Sequence, residues 1–179
     1  MKIGLIALQG AVSEHKISMR KLGVKVIEAR EPKDLKDLDG LIMPGGESTT
    51  LRKLLKNSGI WEIIKNSKMT IMGTCAGAIL LGKCDDETFG KMNIEIDRNY
   101  YGRQSDSFET KITVERSKTF KGIFIRAPAI TSIGEKITPI AWNNENIVGC
   151  TESKHMALTF HPELTDDSRF HKLWLEGLK

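Results

Sequence analysis

Three cysteines, at positions 75, 84 and 150, occur in 179 residues. The number is odd and no CxxC spacing appears, so neither a disulfide framework nor a thiolate zinc site is expected. A reducing, cytoplasmic setting is. Aromatic residues make up only 6% of the chain and do not alternate with basic ones, while the 27 Lys and Arg lie scattered among 23 Asp and Glu. No block of like charge results, and the net charge of +4 implies no nucleic-acid partner. No apolar run approaches the roughly 20 residues of a membrane span. Five prolines and no Pro/Gly/Ser-rich stretch, repeat or low-complexity tract leave nothing to mark a linker, so residues 1–179 are expected to form one domain. The start, MKIGLIALQGAVSEH, has the look of a secretory signal, but its apolar run is short and gives way at once to charged helix formers. It reads as a first buried strand.

What is present is alternation. KIGLIAL (2–8), VKVIEA (24–29), DGLIMPG (39–45) and MTIMGT (69–74) are short continuous apolar runs, the kind expected of parallel strands covered on both faces. Between them lie helical patterns. SEHKISMRKLG offers Ser13 as N-cap and Gly23 as stop, and STTLRKLLKNSG puts Leu51, Leu54 and Leu55 on one face and ends at Gly59. An open, flavodoxin-like α/β sheet of three layers follows, mostly parallel. From about residue 91 the helices disappear: MNIEID, ETKITVE and GIFIRAP predict strands, and ITPIAW-NNEN-IVGC predicts a hairpin with a four-residue connection. The second half is therefore an antiparallel extension. DDSRFHKLWLEGL closes the chain as a helix whose Phe170, Leu173, Trp174 and Leu178 are spaced to face the core.

Chemistry concentrates at three places. In GTCAG, Gly73 and Gly77 flank Cys75 between a strand and a helix, the sequence equivalent of a nucleophile elbow. A thiol there points off the sheet end toward the crevice in which open α/β folds bind ligands, at a helix N-terminus that favours negative charge. Cys84 and Cys150 lack the paired glycines and read as packed core residues. A thiol nucleophile needs a base. His15, His155 and His171 lie among polar or charged residues and read as solvated imidazoles, whereas His161, in ALTFHPEL, ends an apolar run. Pro162 biases it toward extended backbone, in which His161 and Glu163 share a side. A carboxylate beside an imidazole is the orienting member of a triad. The third place is MPGGEST (43–49), where two glycines and a helix start suit an oxyanion or a carboxylate.

A G-x-C-x-G elbow, a downstream H-P-E and an upstream P-G-G together resemble the triad class (class I) of glutamine amidotransferases. Segment by segment, GLIALQGAVSEH, PGGESTTLRKLL, GTCAGAILL, DRNYYGRQSDSFE, FIRAPAI and LTFHPELTDD are similar to the glutaminase subunits of pyridoxal 5′-phosphate synthase. The likeness spans nearly the whole chain, with one departure: CDDETFGK, between Cys84 and Met92, is shorter than the corresponding loop.

The resemblance implies a Cys75–His161–Glu163 triad that hydrolyses L-glutamine to glutamate and ammonia without metal or cofactor. It implies that Gly46, Glu47 and Ser48 hold the substrate, with Arg98, Ile125 and Arg126 also in contact with it. The N–H groups of Gly46 and Ala76 are implied as the oxyanion hole and Gln9 as a residue that senses a synthase subunit, the recipient of the ammonia. Rival readings are a glutaminase serving another synthase, a non-catalytic regulatory module on the same fold, and a cysteine peptidase or chaperone of flavodoxin-like architecture.

Overall fold

The structure is a computed structural model that describes residues 1–100, 107–114 and 118–179. Most of GRQSDSFE, part of the sequence likeness, lies outside the described residues. In chain order the elements are β1 (Ile3–Ile6), α1 (Val12–Lys21), β2 (Val26–Ala29), β3 (Gly40–Met43), α2 (Ser48–Asn57), α3 (Ile60–Asn66), β4 (Ile71–Thr74) and α4 (Ala76–Leu81). Then come β5 (Ile94–Asp97), β6 (Phe108–Val114), β7 (Lys118–Phe124), β8 (Ala129–Ile133), β9 (Thr138–Asn143), β10 (Asn146–Glu152), β11 (His155–Leu158) and α5 (Arg169–Leu178).

One sheet runs β2-β1-β3-β4-β11-β10-β9-β6-β7, and β5 pairs with β8 in a separate ribbon. The strands from β2 to β11 are mutually parallel, and β10, β9, β6 and β7 continue the sheet antiparallel. This is the open α/β sheet with an antiparallel extension that the sequence predicts. The four apolar runs become strands because both of their faces are covered. Along β3, Leu41 and Met43 enter one core cluster with α2, α3 and α4, while Ile42 enters the other with α1 and α5. Each such side chain stabilises the fold by about 1.5–3 kcal/mol.

The strand order sets the site. From β1 the chain moves outward to β2, then returns to add β3 on β1's other side, so the order reverses between β1 and β3. The carboxyl ends of strands flanking such a reversal leave a crevice that no crossover covers. The loops after β1, β3, β4 and β11 open onto that end.

Four local readings change. Ala11, not Ser13, occupies the N-cap of α1, and the Ser13 hydroxyl donates to Glu14 Oε2 at 2.8 Å. Helix α3 has no counterpart among the expected elements; it follows α2 directly, with Gly59 at φ 77° making the corner. The NNEN connection is shorter than expected, because Asn143 and Asn146 pair with each other and Asn144, at φ 53°, turns the chain. In α5 the buried face runs through Phe170, His171, Trp174 and Leu175, and Leu173 is 41% exposed.

Candidate active site

Cys75 sits between the end of β4 and the first residue of α4 with φ 48° and ψ −106°. An L-residue held there stores roughly 1–3 kcal/mol of strain. The turn persists because its surroundings enforce it: Cys75 N–H donates to Leu158 O on β11 at 2.8 Å. A Cβ on Gly77 would lie 2.0 Å from Met43 O, so only glycine lets α4 start this close to β3. The thiol is almost fully buried and its Sγ lies 3.8 Å from Ile125 O.

His161 reaches Cys75 from the segment beyond β11. Its backbone is not part of a strand: His161 caps a 3₁₀ turn, Pro162–Leu164, and its N–H donates to Ile123 O at 2.8 Å. That turn, rather than an extended run, brings His161 Nδ1 to 2.7 Å from Glu163 Oε1. Burial opposes a charge on the imidazole, but hydrogen bonds with Cys75 and Glu163 and the Glu163 charge outweigh it, and the pKa is raised to about 10. Burial likewise works against the Glu163 anion, yet His15 and His161 bring its pKa below the usual carboxylate range. The imidazole therefore carries the proton and Glu163 stays anionic.

The glycine loop after β3 forms the facing wall. A Cβ on Gly45 would come within 2.3 Å of His161 Cε1 and 3.1 Å of the Cys75 Cβ, so the backbone itself packs against both. Gly46, at φ 137°, leaves its side open to the Gln9 amide, whose Nε2 donates to Glu47 O at 3.0 Å. The Glu47 carboxylate caps α2, accepting from Thr49 N–H at 2.9 Å and from the N–H and hydroxyl of Thr50 at 2.7 Å each. Partial burial opposes its charge, but those donors prevail and its pKa falls to about 2. Ala76 opens α4, and the first N–H groups of a helix have no partner within it.

These parts line one cleft of about 680 Å³, bounded among others by Gly46, Ser48, Cys75, Arg98, Arg126 and His161. Every residue proposed for substrate contact reaches it: Gly46, Glu47, Ser48, Arg98, Ile125 and Arg126. Arg98 arrives already engaged, donating to Asp86 Oδ2 at 2.8 Å and Thr49 Oγ1 at 3.3 Å. Arg52 holds the same Asp86 oxygen at 2.5 Å, so the 84–92 loop anchors the arginine at the cleft wall. Gln9 lies behind Gly46, and Ala76 follows Cys75. Among the described residues no group of three or more His, Cys, Asp or Glu could hold a metal ion.

Three expectations fail. His15 and His171, expected in solvent, are fully buried, and His15 Nε2 lies 3.6 Å from Glu163 Oε1. The signal was their helical register: His15 shares a face with Ser18 and Met19, and His171 lies beside Phe170 and four residues before Leu175. His155 is also half-buried, accepting the Ile71 N–H at 3.1 Å.

An elbow cysteine paired to a histidine and a carboxylate, beside a glycine loop at the sheet's switch point, is the arrangement of a triad-type hydrolase or amidotransferase. The chain belongs to the SNO glutamine amidotransferase family, whose model matches residues 5–179. Among curated proteins it is similar to the pyridoxal 5′-phosphate synthase subunit PdxT of Oenococcus oeni, at 41% identity over 100% of this chain and 97% of that one. The PdxT of Brevibacillus brevis is 42% identical, with 100% and 98% covered. A crystal structure of a glutamine amidotransferase superposes with a TM-score of 0.91 at 38% identity, covering 98% of each chain. The structure of PurLQS from Thermotoga maritima shares the fold at a TM-score of 0.72 and 14% identity, with 99% of each chain covered.

Proposed function

We propose that this chain is a glutaminase that releases ammonia from L-glutamine and passes it to a pyridoxal 5′-phosphate synthase subunit. Residues 1–179 act as one amidotransferase domain. The observation that carries the reading is that His161, 2.7 Å from Glu163, lines one cleft with Cys75 against the Gly45 backbone. With the proton already on His161, the Cys75 sulfur attacks the side-chain amide carbon of glutamine. The oxyanion that forms is received by the Gly46 and Ala76 N–H groups. The tetrahedral intermediate collapses as the amide nitrogen takes the proton from His161 and leaves as ammonia, and a γ-glutamyl thioester remains on Cys75. Water, giving a proton to His161, attacks that thioester; glutamate departs, and Cys75 is freed with the proton on His161 as at the start. Two ordinary steps replace one hard one. Glu163 stays anionic throughout and stabilises the imidazolium.

Arg98 and Arg126 supply positive charge suited to the substrate carboxylate, and Ser48, Glu47 and Ile125 complete the pocket. No metal or cofactor enters the chemistry, and the partners are glutamine and the synthase subunit, not nucleic acid or a membrane. No helix among the described residues is long and apolar enough to cross a membrane. Ammonia released into water becomes ammonium and loses its nucleophilicity, so hydrolysis is best coupled to the acceptor subunit. Gln9 donates to Glu47 O from behind Gly46, which supports reading it as the residue through which such coupling acts on the oxyanion loop. An electrophilic glutamine analogue is expected to label Cys75 and spare Cys84 and Cys150. Titration with the synthase subunit is expected to raise glutamate release, and Gln9→Ala to blunt that rise. Labelling of another cysteine would overturn the nucleophile, and equal turnover with and without partner would overturn the coupling.

A further inference from the structure

Behind Glu163, on the side away from the cleft, lies a polar cluster that the reaction as written does not use. His15 from α1, His171 from α5 and Thr74 from β4 are all fully buried. His15 Nδ1 is 2.9 Å from His171 Nε2, and His15 Nε2 is 3.2 Å from Thr74 Oγ1 and 3.6 Å from Glu163 Oε1. The rings meet edge to face at 66°. A buried histidine with hydrogen-bond partners is ordinarily just a satisfied core residue. Here, however, the last group in the chain is the triad carboxylate, and the tautomers are not free.

Two proton arrangements satisfy the contact between the rings. If His15 carried its proton on Nδ1, the lone pair of Nε2 would face the Glu163 anion, and a neutral His171 would bury an unpaired Nδ1–H. If His171 Nε2–H donates to His15 Nδ1, then His15 Nε2–H points at Thr74 Oγ1 and Glu163 Oε1. The unpartnered His171 Nδ1 is then only a lone pair. An unpaired buried N–H and a lone pair against an anion are both penalised, so the second arrangement wins. Every dipole in the chain then points its positive end at Glu163.

We infer that His15, oriented by His171, is a positioning residue that presents Nε2–H to Glu163 and holds the triad carboxylate in its anionic form. The inference rests on the glutaminase reading for its role in turnover. Burial lowers the pKa of both imidazoles, that of His171 to about 3, so the chain is neutral when the enzyme works. The titratable groups around Glu163 are His15 from α1, with Glu14 beyond it, His171 from α5 and His161 from its own turn. Of these only His15 opposes Glu163 protonation from the buried side.

The test compares His15→Met, which keeps bulk without an N–H, with His15→Gln, whose amide nitrogen can take the place of Nε2. In the complex with the synthase subunit, His15→Met is expected to lower kcat about tenfold with KM within about twofold. It is also expected to move the acid limb of the kcat/KM profile to higher pH, because Glu163 accepts a proton more readily. His15→Gln is expected to recover most of both. Wild-type kcat and acid limb in His15→Met, or no recovery in His15→Gln, would overturn the proposal. Nitrogen NMR of the wild-type imidazoles decides the matter even if a variant fails to fold: His15 protonated on Nε2 supports it, and His15 protonated on Nδ1 overturns it. That measurement needs no turnover. A wild-type complex that released no glutamate would sink the glutaminase reading and leave the tautomer result standing.

Discussion

On the cleft side of Glu163, His161 is nearly buried but bound to a thiol and a carboxylate, and its pKa is raised to about 10. On the far side, His171 is fully buried with the neutral His15 imidazole as its hydrogen-bond partner, and its pKa falls to about 3. One residue type, a few ångströms either side of one carboxylate, takes opposite charge states. Burial pushes both toward neutrality, and only a hydrogen-bonded anionic partner reverses the direction. Burial alone therefore cannot identify a catalytic histidine in this fold. The partner does.

The sharpest way to break the comparison is to remove the reason for the cleft-side charge. Cys75→Ala removes the nucleophile and little volume, and glutamate release is expected to fall by several orders of magnitude with the melting temperature nearly unchanged. Full activity would mean that His161 serves some other group. Glu163→Gln comes next. It keeps the shape but removes the anion, so kcat is expected to drop on the order of 10²–10⁴ with KM little changed. The same change should bring the His161 titration, followed by NMR, well below pH 10. A rise in KM alone would make Glu163 a binding residue.

Gly45→Ala tests the wall instead of the charge. The added methyl would overlap His161 Cε1, so the ring must shift. Overpacking of this kind destabilises by about 1–3 kcal/mol, and kcat should fall with it. If crystals of the variant showed His161 unmoved and turnover were intact, the close backbone approach would be incidental.

The smallest effect separates the two histidine environments by pH. For His171 the folded pKa lies near 3 and the unfolded value near 6.5, so below about 6.5 the unfolded chain takes up a proton that the folded chain refuses. Stability contributed by its neutral form is present above that pH and is lost as pH falls toward 3. For His161 the sign is opposite: its contribution is complete below about 6.5 and is lost as pH rises through about 10. Melting temperatures across pH 4–10 should therefore fall at both ends. His171→Gln should flatten only the acid side, and Glu163→Gln the alkaline side. Wild-type slopes on both sides in those variants would remove the contrast.

Much of this arrangement can be read along the chain. Four continuous apolar runs match β1 to β4, because a strand covered on both faces needs apolar residues at successive positions, a local and unambiguous pattern. The elbow around Cys75 and the loop at Gly45 and Gly46 are equally local, since a sharp turn and a close backbone approach each demand glycine at fixed offsets. The H-P-E pair is legible for a reason that the fold does not use. Its contact is made by a 3₁₀ turn, which neither the proline nor the preceding strand announces.

What the sequence determined by itself is the order of the parallel elements, the positions of the turns, and the residue types able to do thiol chemistry; each depends on neighbours within a few positions. What only the tertiary structure decided is which histidine meets which partner. His15 and His171 are 156 residues apart and lie in helices whose other faces are charged, so composition marked them as solvated. They become neutral and buried because α1 and α5 pack on the same face of the sheet as β1 and the end of β4, a pairing set by the strand order. His161 becomes charged because β4 and β11 are adjacent, which brings a thiol within its reach. A proton's location depends on distances across the fold, and those distances exist only once the sheet has closed its register.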